Sequence, residues 1–161
     1  MTLEHPNIIR FFDALQDNHM VYFLLEYAAN GCLFFFINCR YGLPEHIALR
    51  FFYETTLAVE YLHVNKIAHR DIKPENILLS RDFGIKLCDF GWSCYVEEGD
   101  IRTSVCGTYE YMSPEILDNM GHNHKVDIWC LGILLYEMLH GKLTRQTTVL
   151  CRNLRGNADR V

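Results

Sequence analysis

Two polar clusters, His69-Arg-Asp-Ile-Lys-Pro-Glu-Asn76 and Asp89-Phe-Gly91, constrain this chain more than any other feature, because of what surrounds them. Between them lie two short strand-like runs, Ile77-Leu-Leu79 and Ile85-Lys-Leu-Cys88, with Arg81-Asp-Phe-Gly84 as the turn. Before them, residues 47–65 set Phe51, Thr55, Ala58 and Leu62 on one helical stripe and Arg50, Glu54 and Glu60 elsewhere, which predicts a long amphipathic helix. Residues 126–139 are apolar nearly all round and predict a second helix in the middle of a core. A fold that satisfies these four elements must hang its polar loops from one helix–hairpin frame.

Upstream, residues 8–15 and 20–26 are apolar runs separated by Gln16-Asp17-Asn18-His19, the pattern of a hairpin. Residues 20–25 are apolar at every position, which predicts a strand buried on both faces. Ala28-Ala-Asn-Gly31 then breaks the pattern. Composition excludes several classes. The 161 residues carry a formal net charge of -5, which argues against nucleic-acid or anionic-membrane partners. Seven cysteines form no C-x-x-C pair, so the expectation is reduced thiols in a cytosolic or nuclear protein. The apolar run at residues 130–136 is too short to span a bilayer, and the first residues lack the pattern of a signal peptide.

The loop chemistry is that of phosphoryl transfer, which asks for an orienting base, metal-binding oxygens and positive charge rather than covalent help. Asp71, Lys73, Asn76 and Asp89 supply those types. With Ser113-Pro-Glu115 and Asp127-Ile-Trp-Cys-Leu-Gly132 following in order, the set resembles the signature of eukaryotic protein kinases. Within that superfamily the chain is most similar to the Aurora serine/threonine kinases, through Asp89-Phe-Gly-Trp-Ser93 and Cys106-Gly-Thr108. His5-Pro-Asn-Ile-Ile9 and Leu25-Glu-Tyr-Ala28 support the likeness, which runs from Met1 to about Gly141.

The resemblance implies ATP and Mg²⁺ as cofactors and the following roles. Asp71 orients the substrate hydroxyl and receives its proton, Lys73 faces the γ-phosphate, and Asn76 and Asp89 ligate the metal. Glu26 and Ala28 meet adenine through their backbone, with Leu25 behind them and Leu78 as the floor. Glu75 contacts the ribose or a basic residue of a peptide, or is simply a solvated loop carboxylate. His69, Phe90 and Phe11 are similar to a stacked apolar spine. Asp127 accepts hydrogen bonds from catalytic-loop amides, Thr108 sits beside Asp71 and Lys73, and Tyr111, Met112 and Ser113 shape the substrate cleft. His122 and His124 read as a surface loop. A phosphate on Thr103 or Ser104 adds about -1.5 to -2 charge, and Arg70 is its expected partner. Register with Cys106-Gly-Thr108 favours Ser104.

By the same resemblance the fold is α+β and protein-kinase-like, truncated at both ends. Residues 1–28 are a remnant of the N-lobe sheet and hinge, 29–141 a mostly α-helical partial C-lobe, and 142–161 a divergent tail. The expected function is transfer of the ATP γ-phosphate to Ser or Thr hydroxyls near basic residues of protein substrates. Cell-cycle work in cytoplasm, nucleus and spindle or cytoskeleton, and an activating partner whose site falls largely outside this chain, follow from the family. A truncated interaction or competitor module is the alternative, which four intact active-site residues disfavour. The departures are specific. No G-x-G-x-x-G and no strand lysine occur, Lys86 alternates outward, and ATP is therefore held from one side only. Glu115 lacks the late arginine partner, at a cost of roughly 3–5 kcal/mol by analogy with broken buried pairs. Cys32-Leu-Phe-Phe-Phe-Ile37 is too apolar for an exposed helix.

Overall fold

The structure, a computed structural model, describes residues 3–143. Its elements run β1 (Phe11–Gln16), β2 (Val21–Leu25), α1 (Leu33–Asn38), α2 (Glu45–Val64), β3 (Ile67–Ala68), β4 (Ile77–Leu79), β5 (Ile85–Leu87), β6 (Cys94–Tyr95), α3 (Pro114–Leu117) and α4 (Lys125–His140). The strands pair as three antiparallel ribbons, β1–β2, β3–β6 and β4–β5, beside a mainly helical body, which is the α+β arrangement expected. The tail expected to diverge lies almost wholly outside the described residues. Among the described residues no helix is long and apolar enough to cross a membrane.

The predicted stripe of α2 faces the core: Ala48, Phe51, Thr55, Ala58, Val59 and Leu62 are all buried. Thr55 is tolerated there because its hydroxyl donates to the Phe51 carbonyl one turn back, at 2.7 Å. α4 brings Leu131, Leu134 and Met138 into the same cluster, so the apolar helix is central as its sequence predicts. Each such side chain contributes about 1.5–3 kcal/mol by leaving water. In the β4–β5 hairpin Ile77, Leu79, Ile85 and Leu87 are fully buried, while Leu78 and Lys86 alternate to the other face. Lys86 alternates outward as expected, where its Nζ reaches Glu26 Oε1 at 2.8 Å and is largely covered. The segment before β1 is tied to the same hairpin. Leu87 donates to the Asn7 carbonyl at 2.8 Å, and Ile9 donates to the Leu87 carbonyl at 2.9 Å.

Two expectations fail for the same reason, which is what the chain has available to cover a face. Residues 20–25 do not form a doubly buried strand: every residue of β1 and β2 is exposed, Phe23 at 65%. The hairpin and its Asp17-centred turn form as predicted, yet no third strand or helix of the described residues packs on either face. The apolar α1, in contrast, is mostly sheltered. Leu33 and Ile37 are buried, Phe36 meets Phe51 edge-on at 5.8 Å under the Arg40 guanidinium, and only Phe35 stands well out.

Phe51→Ala should therefore cost about 3–5 kcal/mol in urea unfolding, and Phe23→Ala within about 0.5 kcal/mol. Equal losses at the two positions would contradict this assignment of the core.

Candidate active site

The site is built outward from Asp127, on the first turn of α4 and fully buried. Its carboxylate accepts the backbone N–H of His69 (2.9 Å) and of Arg70 (2.8 Å), and His63 Nε2 lies 2.8 Å from the same group. Charge-assisted bonds of this kind contribute about 1.5–3 kcal/mol each. They hold Arg70 in the left-handed region (φ 67), a conformation that costs an arginine of order 1–3 kcal/mol. The clamp thus fixes the start of this loop on the most buried helix among the described residues. Asp127 takes the position expected of it.

Asp71 follows, nearly buried, with every partner in place. Asn76 Nδ2 donates to its Oδ2 (2.9 Å), Lys73 Nζ lies 3.0 Å from that oxygen, and the Thr108 hydroxyl donates to Oδ1 (2.8 Å). Lys73 also donates to the Thr108 hydroxyl at 2.7 Å. Burial alone pushes the Asp71 carboxyl up, but Lys73, Thr108 and Asn76 together outweigh it and hold the group below its ordinary value. Asp71 is consequently an ionised acceptor, suited to orienting a hydroxyl and taking its proton only as the new bond to phosphorus forms. Thr108 reaches it because Gly107 (φ 94) passes so close to the loop that a Cβ there would lie 2.6 Å from the Arg70 carbonyl oxygen.

Asp89 is joined to this loop through its neighbours. Cys88 donates to the Asn76 carbonyl at 2.9 Å, the Cys88 carbonyl lies 3.1 Å from His69 Nε2, and Phe90 meets the His69 ring at 5.0 Å. Asp71 and Asp89 therefore flank one stitched pair of loops. Asp89 also sits at positive φ (60), and its Oδ1 accepts the Gly91 N–H. Its Oδ2 and the Asn76 side-chain oxygen accept no hydrogen bond from any described residue. Two hard oxygen atoms left unspent fit Mg²⁺, which takes few protein ligands and completes its shell with phosphate and water. No cluster of three His, Cys, Asp or Glu side chains suited to a metal occurs among the described residues.

At the hinge, Glu26 donates its N–H to the Arg10 carbonyl, and its carboxylate is spent on the Arg10 N–H (3.2 Å) and on Lys86. The Glu26 carbonyl and the Ala28 backbone make no hydrogen bond with described residues, which leaves them open to an adenine edge. Leu78 turns away from the core beside Cys32, on the hinge side of β4. Glu75 is exposed. The spine is only partly assembled: His69 and Phe90 stack, whereas Phe11 packs on Phe23 at 6.3 Å, because the β1–β2 ribbon stands clear of the body. Glu115 has no ion pair among the described residues but is only half-buried, facing an open groove with Lys125, Ile128 and Trp129. Water still reaches it, so the buried-pair cost expected of it does not apply.

In the activation segment Ser104 and Thr103 are both exposed, and only Ser104 meets Arg70, whose Nη1 donates to its hydroxyl at 2.7 Å. Two residues escaped the sequence reading: His63 shares Asp127, and Glu137, near the end of α4, accepts the buried Tyr111 hydroxyl. One expectation is corrected: His122 is not part of an exposed surface loop but is buried against Arg70. The pattern Tyr136-Glu-Met138 on an otherwise apolar helix was the one visible signal for Glu137. His69 is packed, not catalytic. It is fully buried, its Nδ1 accepts the Asp71 N–H (3.3 Å), and the other ring nitrogen faces the Cys88 carbonyl, so both are spent in the neutral form. Burial likewise raises the Cys88 thiol to about 12, which leaves it inert beside Asp89.

A buried carboxylate clamp, a carboxylate–lysine–threonine triad and two free metal-type oxygens on adjoining loops define a phosphoryl-transfer type of site. Residues 1–156 match the protein kinase domain, and the chain belongs to that family. It is 41% identical over 140 residues to an Aurora kinase of Eremothecium gossypii, covering 87% of this chain and 38% of that protein. It is 44% identical over 142 residues to an Aurora kinase of Debaryomyces hansenii, covering 87% and 34%. It is also 40% identical over 142 residues to the serine/threonine-protein kinase GIN4 of Saccharomyces cerevisiae, covering 88% and 12%. The chain thus spans well under half the length of these relatives.

The buried histidines set a pH dependence. Burial lowers His69, outweighing the pull of Asp127, and burial followed by the Arg70 charge lowers His122. Each stays neutral when folded and gains a proton on unfolding below its ordinary 6.5. Their contribution is present above that value and lost as pH falls below it. Urea unfolding should show a plateau above about pH 7 and a fall of up to about 1.4 kcal/mol per pH unit per histidine below it. Rising stability on mild acidification would contradict this.

Proposed function

We propose that this chain supplies the catalytic loop, metal ligands and substrate cleft of a serine/threonine protein kinase of the Aurora type, using ATP with Mg²⁺. The observation that carries the reading is the Asp71 carboxylate, held ionised by Lys73, Thr108 and Asn76 on a loop stitched to Asp89. In the reaction, Asp71 receives the hydroxyl hydrogen of a serine or threonine and fixes the oxygen in line with the γ-phosphorus. Lys73, already beside Asp71, neutralises charge on the transferred group. Asn76 Oδ1 and Asp89 Oδ2 would hold the magnesium, which would offset negative charge on the phosphates when bound. Residues 1–28 serve as the hinge side of the adenine pocket, and residues 29–141 carry the chemistry.

A preference for basic substrates has support in the cleft. Glu75 is exposed, and Glu137 holds the Tyr111 hydroxyl. Burial raises the Tyr111 phenol furthest, and both carboxylates act in the same direction. The exposed Glu75 carboxylate favours arginine near the phosphorylated residue. Phosphorylation of exposed Ser104, paired with Arg70, is the regulatory step in this reading. Cell-cycle work on the spindle and in the nucleus extends the likeness to the Aurora kinases.

Transfer from labelled ATP to an arginine-containing serine peptide tests the assignment. In the polypeptide as encoded in the cell, Asp71→Asn should lower kcat by about 10²–10⁴-fold without unfolding the protein; full activity in that variant would refute the role. Residues 1–161 alone, lacking a glycine-rich cradle, should bind ATP weakly and turn over little.

A further inference from the structure

Arg70 is 9% exposed, yet it forms no ion pair among the described residues. Its guanidinium is met by neutral groups alone. Nε donates to the Trp92 carbonyl (2.7 Å), Nη1 donates to the Ser104 hydroxyl (2.7 Å), and Nη1 lies 3.4 Å from His122 Nε2. A covered cation without a carboxylate is a costly arrangement that an incoming anion relieves. His122 is 5% exposed, and its position is built rather than incidental. Its backbone pairs with Arg102 in both directions at 2.8 Å, two residues before Ser104. Gly121 permits this (φ 81), since a Cβ there would lie 2.3 Å from the Ile101 side chain. Ser104, whose hydroxyl meets Arg70, is exposed and open to modification.

We propose that His122 is the second cation of a phosphate receptor, closing with Arg70 on a phosphate carried by Ser104 and taking up a proton as it does so. This rests on the reading that Ser104 is phosphorylated. In that step the Ser104 oxygen bonds to the γ-phosphorus of a nucleoside triphosphate and the bond to the β-phosphate oxygen breaks. Nucleoside diphosphate leaves, and the hydroxyl proton passes to the general base of the transferring kinase. Before modification His122 must remain neutral, because a second positive charge would face Arg70 across 3.4 Å. The other charged groups around it are Arg102 on the paired segment, Glu115 on α3 and Asp127 on α4. Arg70 opposes its protonation and the two carboxylates favour it, while burial keeps it neutral overall. A phosphate of about -1.5 to -2 charge reverses that balance. Acidification then works in opposite directions in the two states: it weakens the seating of the unmodified loop and strengthens that of the phosphorylated one.

The test uses the chain with phosphoserine incorporated at position 104 and the unmodified chain, titrated between about pH 5 and 8 by histidine-resolved and phosphorus NMR. His122 should titrate at least tenfold more readily in the phosphorylated chain, a rise of about one pKa unit. The second ionisation of the phosphate should fall below its usual value of about 6. Arg70→Met should restore the phosphate to that value, and His122→Phe should do so in part. His122→Gln, which keeps the hydrogen bonding but binds no proton, serves if the phenylalanine variant does not fold. A phosphate perturbed through Arg70 with His122 unmoved would overturn the inference and leave the Ser104–Arg70 reading standing. A phosphate that titrates as free phosphoserine in every chain would overturn both.

Discussion

The Asp127 carboxylate is the joint on which the molecule turns. It starts α4, the helix most enclosed by other apolar side chains, and it accepts the two amides that begin the catalytic loop. Without an acceptor those buried N–H groups would each carry a penalty of about 1–3 kcal/mol, and Arg70 would have no reason to stay in a left-handed conformation. Everything functional follows from that anchoring. The loop delivers Asp71 to Lys73, Thr108 and Asn76, and His69 carries the connection on to Cys88, next to Asp89. A hydrophobic helix thus fixes a polar site through one charged residue.

The chemistry sits on loops, but each loop leaves and returns to a buried element. The 3₁₀ turn Pro74–Asn76 leads directly into β4, whose Ile77 and Leu79 are sealed in the core, so Asn76 has little freedom. Asp89 follows β5 in the same way. The contrast is with the β1–β2 side. There the hinge hangs from a two-stranded ribbon exposed on both faces, secured by the Asn7–Leu87 pairing and the Glu26–Lys86 ion pair. Asp71 and Asn76 are thus held from the core, whereas residues 26–28 have only the ribbon and these few bonds for support.

What the sequence made legible depended on whether a residue's role was local. The stripe of α2 and the β4–β5 hairpin are carried by periodicity and turn residues, the Asp127 acceptor role by the resemblance to protein kinases, and all three appear in the structure as expected. Residues 20–25 misled because an all-apolar run reports the environment a strand is suited to, not which partner covers it. Lys86 alternates as its strand requires, but nothing local shows that Glu26, sixty residues earlier, lies across from it. His122 was misread as surface for the same reason: its neighbours in sequence are polar, and its burial comes from Arg70 and the Arg102 segment. Glu137 hides among apolar residues and acquires meaning only when Tyr111 folds against it.

Native-state hydrogen exchange at the amides of His69 and Arg70 tests this account most directly. With Asp127 intact, both should exchange only with the slowest core amides of α4, by global unfolding. In Asp127→Ala, with α4 still protected, they should exchange at least about 10-fold faster, through local opening of the loop. Unchanged protection of both amides in that variant would show that something other than the carboxylate holds the catalytic loop in place.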